Sequence, residues 1–184
     1  MRERMLGGEQ YLADDPQLEA ERARAAALSE EYNRTAAAEA ELRGRLLAEL
    51  LGACGEGCEI RPPFHVDYGY PMTIGDRVFA NFGLVALDCA PITIGDDVQL
   101  GPNVQLLTAE HPLAPGPRRA KWESARPIVI EDNVWLGGGV IVCPGVTIGR
   151  DTVVGAGSVV TGDLPAGVLA VGSPARVLRA LPEG

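Results

Sequence analysis

The chain has 184 residues and a formal net charge of −9, from 16 basic and 25 acidic side chains. An acidic field of that size repels phosphate and argues against non-specific nucleic-acid binding. Hydrophobic residues make up 46% but aromatics only 5%, which suits a core of stacked Val, Ile and Leu in one domain with an appendage.

Met5 to Tyr11 reads as a short lead-in containing Gly7-Gly8. Asp15-Pro16 then gives an N-cap followed by proline at the first helical position. The helix runs to about Tyr32, with Leu18, Arg22, Ala25, Leu28 and Tyr32 on one side, and Asn33 breaks it. A second helix is expected from about Thr35 to Leu51, with Leu42, Leu46, Leu47 and Leu50 as its apolar stripe and Gly52 as its stop. Two short helices with a break fit a packed hairpin better than a coiled-coil arm.

Residues 52–63 read as a linker. From Phe64 to Gln105 the chain falls into loose six-residue units, among them Thr73-Ile74-Gly75-Asp76-Arg77-Val78 and Ile94-Gly95-Asp96-Asp97-Val98-Gln99. From Ile130 to Pro165 six units follow in strict phase, opening on Ile130, Leu136, Val142, Ile148, Val154 and Val160. Repetition of this kind outranks local propensity. Six residues make one short strand and one tight turn, so three units return the chain over its start about 4.8 Å higher. The opening residue of each unit should point inward, and Gly, Asn and Asp supply the positive φ at the corners. The result is a mainly β, triangular parallel β-helix. A β-sandwich would instead show turn signals every 8–12 residues or so.

The period breaks from Leu107 to Pro127, a long excursion containing His111-Pro112 and Arg118-Arg119-Ala120-Lys121-Trp122-Glu123. Such a departure from a rigid solenoid is commonly functional. The tail from Gly167 to Gly184 carries Gly172-Ser173-Pro174-Ala175-Arg176 and Arg179, and is expected to leave the coil, extended and then irregular or briefly helical. The division is therefore a helical segment over 1–52, a β-helix over 53–166 with its excursion at 107–127, and a tail over 167–184.

Cys54, Cys58, Cys89 and Cys143 are scattered, with no second cluster and no neighbouring His, so no zinc site is expected. No leader peptide and no 18-residue apolar span are visible, so a cytoplasmic protein with reduced thiols and no membrane contact is expected. Of the two histidines, His65 and His111, the second stands at the root of the excursion. Its ordinary pKa near 6.5 suits proton abstraction near neutrality.

The chain resembles the maltose and galactoside sugar O-acetyltransferases of the hexapeptide-repeat class. The likeness covers nearly all of it, through Met5-Leu6-Gly7-Gly8, Glu31-Tyr32-Asn33, Asp67-Tyr68-Gly69-Tyr70, Ala80-Asn81-Phe82, Thr108-Ala109-Glu110-His111-Pro112, Asn133-Val134-Trp135-Leu136-Gly137-Gly138 and Ser173-Pro174-Ala175-Arg176. The resemblance implies a left-handed coil, against the usual crossover rule. It further implies direct transfer of acetyl from acetyl-CoA to a sugar hydroxyl, without a metal or a covalent enzyme intermediate. His111 would be the general base and Asn81 would position the reacting groups, while a backbone N–H near Gly138 would face the developing oxyanion. Arg22, Asp67, Asp88 and Asp14 (the last beside Ala13, which stands at the position itself) would meet the acceptor. Gly101, Gly138, Ala156, Thr161 and Gly162, with Arg176 and Arg179 toward the phosphates, would hold coenzyme A. Gly162 stands where many relatives have Lys. A homotrimer with sites between subunits is implied as well.

Two other functions compete with this one. A carbonic-anhydrase-like metalloenzyme on the same coil would need three histidine ligands per zinc, and the chain has two histidines in all. A non-catalytic scaffold would have no use for both Asn81 and His111. An acceptor hydroxyl on something other than a sugar fits the same residues.

Overall fold

The computed structural model describes residues 1–182 and shows a left-handed parallel β-helix of three faces, capped at its first coil by helices. The first face stacks β2 (Ala53–Cys54), β5 (Met72–Ile74), β8 (Ile92–Ile94), β13 (Ile128–Ile130) and β16 (Thr147–Ile148). The second stacks β3 (Glu59–Ile60), β6 (Phe79–Ala80), β9 (Gln99–Leu100), β14 (Trp135–Leu136), β17 (Val153–Val154) and β19 (Val168–Gly172). The third stacks β4 (Phe64–Val66), β7 (Leu84–Leu87), β10 (Gln105–Leu107), β15 (Ile141–Val142) and β18 (Val159–Val160).

The columns lie where the period puts them. Ile130, Leu136, Val142, Ile148, Val154 and Val160 are all 0% exposed, and each such aliphatic contributes roughly 1.5–3 kcal/mol. Ile130 pairs with Ile94 below and Ile148 above. Within the six strict units two interior positions are polar, and each hydroxyl finds a carbonyl: Thr152 donates to Pro165 at 2.7 Å and Ser158 to Gly155 at 2.6 Å. The corners use left-handed backbone, at φ 56° for Asn133 and 59° for Asp151. Along one corner, aspartates bond the coil below. Asp76 accepts from Glu56 N–H, Asp96 from Asp76 N–H, and Asp132 from Asp96 N–H, at 2.8–2.9 Å.

Several boundaries differ from the sequence reading. The lead-in contains a helix, α1 (Arg2–Leu6), and a two-residue strand, β1 (Tyr11–Leu12). The first long helix, α2 (Pro16–Asn33), begins where expected, with the Asp15 carboxylate accepting from Gln17 and Leu18 N–H. The second, α3 (Ala40–Leu50), starts five residues later than Thr35. Thr35 and the turn after it are held instead by Arg43, which donates to the Thr35 hydroxyl at 2.7 Å, and by the Glu39 carboxylate on Ala36 N–H. Residues 52–63 are not a linker, because β2 and β3 already belong to the first coil. The tail does not leave the coil. β19 continues the second face, and β20 (Ala175–Ala180) folds back antiparallel on it. Val168 and Ala170 face inward while Val171 faces out, a period of two that fits a strand and not a helix. The last two residues of the expected tail lie outside the described residues.

The excursion is folded. β11 (Ala109–Glu110) pairs antiparallel with β12 (Trp122–Ala125), which also pairs with β1. A short helix, α4 (Pro115–Arg119), forms its tip. At the first coil, Leu46, Leu47 and Leu50 of α3 join the core cluster of Ile60, Phe64 and Ile74. Asn33 at the end of α2 bonds both backbone groups of Phe64, donating to its carbonyl at 2.9 Å and accepting its N–H at 2.8 Å. The Tyr32 hydroxyl donates to the Ile60 carbonyl.

Candidate active site

Most of the residues singled out from sequence fall on two edges of the prism. Asn81, Gly101, Gly138 and Ala156 follow β6, β9, β14 and β17, on the edge between the second and third faces. They line one groove of about 420 Å³ with Phe79, Pro102 and Trp135. The Asn81 side-chain oxygen accepts from Phe82 N–H at 2.8 Å, which leaves its NH2 as the free donor end. Gly138 N–H donates to nothing among the described residues, while its neighbours Gly137 and Gly139 bond Val154 and Pro102 carbonyls. Gly101 is glycine for a different reason than room for a ligand. A Cβ there would sit 2.5 Å from Gly138 N, so the stacking of one coil on the next demands its absence.

Asp67, Asp88, His111, Thr161 and Gly162 lie on the next edge, where the third face turns into the first. The two edges are separated by the whole third face, so one chain does not bring Asn81 and His111 together. Gly162 is open: a Cβ added there would meet nothing within 4 Å. Arg176 and Arg179 stand on β20 with exposed side chains.

A second cavity, of about 380 Å³, lies beside this edge and is lined by Asp14, Glu19, Arg22, Asp67, Lys121 and Glu123, among others. Arg22 donates to the Tyr68 hydroxyl at 2.8 Å and to the Ala13 carbonyl at 2.7 Å, so Ala13 contributes backbone beside the Asp14 carboxylate. Burial raises the Asp67 carboxyl above its ordinary range, against the lowering effects of the Cys89 thiol and Arg22. The Cys89 thiol donates to Asp67 at 3.5 Å. Burial pushes that thiol up to about 12, so it stays protonated and is no nucleophile.

Asp88 does not face the cavity, and its assignment as an acceptor contact is corrected. It is 0% exposed. Its oxygens accept from the N–H groups of Asp67 and Tyr68, each at 2.9 Å, and of Gly69 at 2.7 Å. Asp88 therefore shapes the turn that carries Asp67. Burial outweighs those three bonds and pushes its carboxyl up to about 6.

His111 is exposed at the root of the hairpin, with Nδ1 3.6 Å from a Glu123 oxygen. Glu123 and Lys121, noted in sequence only as part of the polar stretch of the excursion, and Trp135, noted only within its motif, were given no role in the site. Trp135, 53% exposed on the outside of a strand, was the legible one, since an indole in an outward hexad position is out of place on a bare face. The role of Glu123 depends on the β1–β12 pairing, which no sequence pattern announces. Among the described residues no three His, Cys, Asp or Glu side chains gather where a metal ion could be held.

Two family profiles match the chain. The family profile described as the maltose acetyltransferase hexapeptide capping motif matches residues 4–55, and the bacterial transferase hexapeptide (six repeats) profile matches residues 127–162. Nodulation protein L of Rhizobium meliloti (strain 1021) is 50% identical over 176 residues, covering 96% of each chain. The crystal structure of a maltose O-acetyltransferase from Clostridium difficile 630 superposes with a TM-score of 0.97 at 43% identity, covering 99% of this chain and 97% of the other. A hexapeptide-repeat acetyltransferase of Vibrio cholerae O1 biovar eltor, solved in complex with acetyl coenzyme A, gives a TM-score of 0.91 at 46% identity, covering 98% of both.

Proposed function

This chain is a member of the hexapeptide-repeat acetyltransferases of the maltose type, and we propose that it moves acetyl from acetyl-CoA to a hydroxyl group of a sugar. The observation that carries this reading is the pairing of a groove bearing unspent donors, Asn81 NH2 and Gly138 N–H, with a carboxylate- and guanidinium-lined cavity on the adjoining edge. Alternating charged donors and acceptors, here Arg22 and Asp67, suit a polyhydroxylated acceptor.

His111 takes the acceptor's proton as the hydroxyl oxygen attacks. A general base of this kind is typically worth about 10²–10⁴-fold. Gly138 N–H donates to the oxyanion, a contribution of about 10²–10³-fold where it has been measured. The outer edge of the groove takes the pantetheine arm, and Thr161, Arg176 and Arg179 meet the distal part of coenzyme A. The working unit is a cyclic trimer, with the Asn81 edge of one subunit set against the His111 edge of its neighbour. What supports this is the third face standing between those edges in a single chain. The protein acts in the cytoplasm.

Free-thiol release from acetyl-CoA, measured with a panel of mono- and disaccharides, tests the reaction. At least one sugar should accelerate release well above the rate without acceptor, and uniform failure across the panel would leave only a scaffold. Light scattering should give the mass of three chains, and a monomer that turned over would end the trimer reading.

One substitution follows from the open space at Gly162. Gly162→Lys adds an ammonium beside Thr161 without a clash, and should lower the acetyl-CoA KM several-fold with the acceptor KM unchanged. An unaltered acetyl-CoA KM would show that phosphate binds elsewhere.

A further inference from the structure

His111 does not stand alone at the root of the hairpin. Glu123, on the neighbouring strand β12, brings one carboxylate oxygen to 3.6 Å from His111 Nδ1. That is just beyond hydrogen-bond length, and contacts of this kind are often long in an unliganded site and tighten when substrate binds. The other oxygen accepts from the Tyr11 hydroxyl at 2.9 Å. Tyr11 is 0% exposed and belongs to β1, whose register sets Tyr11 opposite Glu123 itself. The Glu123 side chain is about one-fifth exposed, with His111 more than half exposed. A carboxylate held at one end by a buried phenol thus has its other end aimed at one particular ring nitrogen.

We propose that Glu123 is a positioning residue: its carboxylate takes the Nδ1–H of His111 and so leaves Nε2 as the unprotonated atom that faces the acceptor. The proposal rests on His111 being the base. In the reaction, the acceptor O–H bond breaks and its proton passes to Nε2. The oxygen's electron pair forms the new bond to the acetyl carbon, the carbon–sulfur bond breaks, and the departing thiolate takes the proton back. Glu123 stays a carboxylate throughout, opposite the transient imidazolium, because which nitrogen carries the proton is set by the hydrogen bond the other makes. Tyr11 has no contact with the reacting atoms and fixes the rotamer of Glu123. The N-terminal segment thereby determines the state of a ring that belongs to the middle of the chain.

Nitrogen NMR of the protein labelled in histidine, at a pH where the rings are neutral, reads the tautomer directly. There are two histidines, and His65, exposed on β4, serves as the internal control. Wild-type His111 should be the Nδ1–H form, while His65 shows the Nε2–H form that free imidazole favours. In the double variant Tyr11→Phe with Glu123→Leu, made together so that no buried hydroxyl loses its acceptor, His111 should revert to Nε2–H. The same variant should lose about 10²-fold in kcat, the lower end of what a general base contributes, with the acetyl-CoA KM unchanged. A wild-type His111 in the Nε2–H form would overturn the proposal without any variant, as would a double variant that keeps the wild-type tautomer. If His111→Ala turned over undiminished, the base reading itself would fall, and the tautomer result would still report whether Glu123 holds the ring.

Discussion

Alanine in place of His111 is expected to lower kcat by about 10²–10⁴-fold, the range a positioned general base supplies, while leaving the fold untouched. The ring is exposed and its charged neighbour is Glu123 at 3.6 Å, so no core contact is lost and the thermal midpoint should hold. Asn81→Ala should fall in the same direction, because its NH2 is the free donor of the groove. The two variants then make a test of assembly. If a site takes His111 from one subunit and Asn81 from the next, co-expressed chains of the two kinds combine at random and about one site in four is wild type in both residues, as closed cyclic symmetry requires. Activity regained on mixing, where neither variant alone is active, is the expected result. A mixture as inactive as its components would place both residues in one chain's site, against the separation of the two edges.

Asp88→Ala should be the most damaging single change outside the aliphatic columns. It leaves three backbone N–H groups without acceptors, two of them on the buried residues Tyr68 and Gly69. Each orphaned donor costs about 1–3 kcal/mol, and relief from burying a charge offsets part of that, so a net loss of about 2–4 kcal/mol in urea unfolding is expected. The acceptor KM should rise at least several-fold, since the turn carries Asp67, while the acetyl-CoA KM holds. An unchanged acceptor KM would detach Asp67 from the acceptor. The pH dependence has a definite sign. Burial raises the Asp88 carboxyl to about 6, so between about pH 4 and 6 the native state holds a proton that the unfolded chain has released. Stability from this residue is greatest below that window and falls as pH rises through it. The gap between wild type and Asp88→Ala should narrow over the same interval.

The coil was legible because its signal is redundant. Six aliphatic openings in phase, with Asn133 and Asp151 at corners that need positive φ, admit one architecture. The ends of elements were less so. Nothing in Thr35 to Glu39 forbids helix, and the turn there is held by Arg43, a contact made only once α3 has formed. Asp88 looked like a ligand contact because a carboxylate beside a motif reads the same whether it points at solvent or at backbone. Gly101 looked like space for a ligand, whereas the next coil's backbone fills that space. The partition of the site was within reach: Gly138 and Ala156 are 18 residues apart, one full coil of three hexads, and Thr161 lies about one hexad further on, hence one edge over. Glu123 was out of reach, since its meaning comes from Tyr11, brought alongside by a strand of two residues.

Asn33 has a consequence beyond ending its helix. The lowest strands of a β-solenoid carry a row of unmet N–H and C=O groups, and such a row can recruit another chain and extend without limit. A side-chain amide imitates a peptide group, donor on one side and acceptor on the other. Placed against Phe64, it occupies one rung of that ladder with something that cannot itself be built upon, and Tyr32 closes a neighbouring rung at Ile60. The helical cap is therefore also a terminator of polymerisation, and it keeps a shape suited to fibres as a discrete molecule.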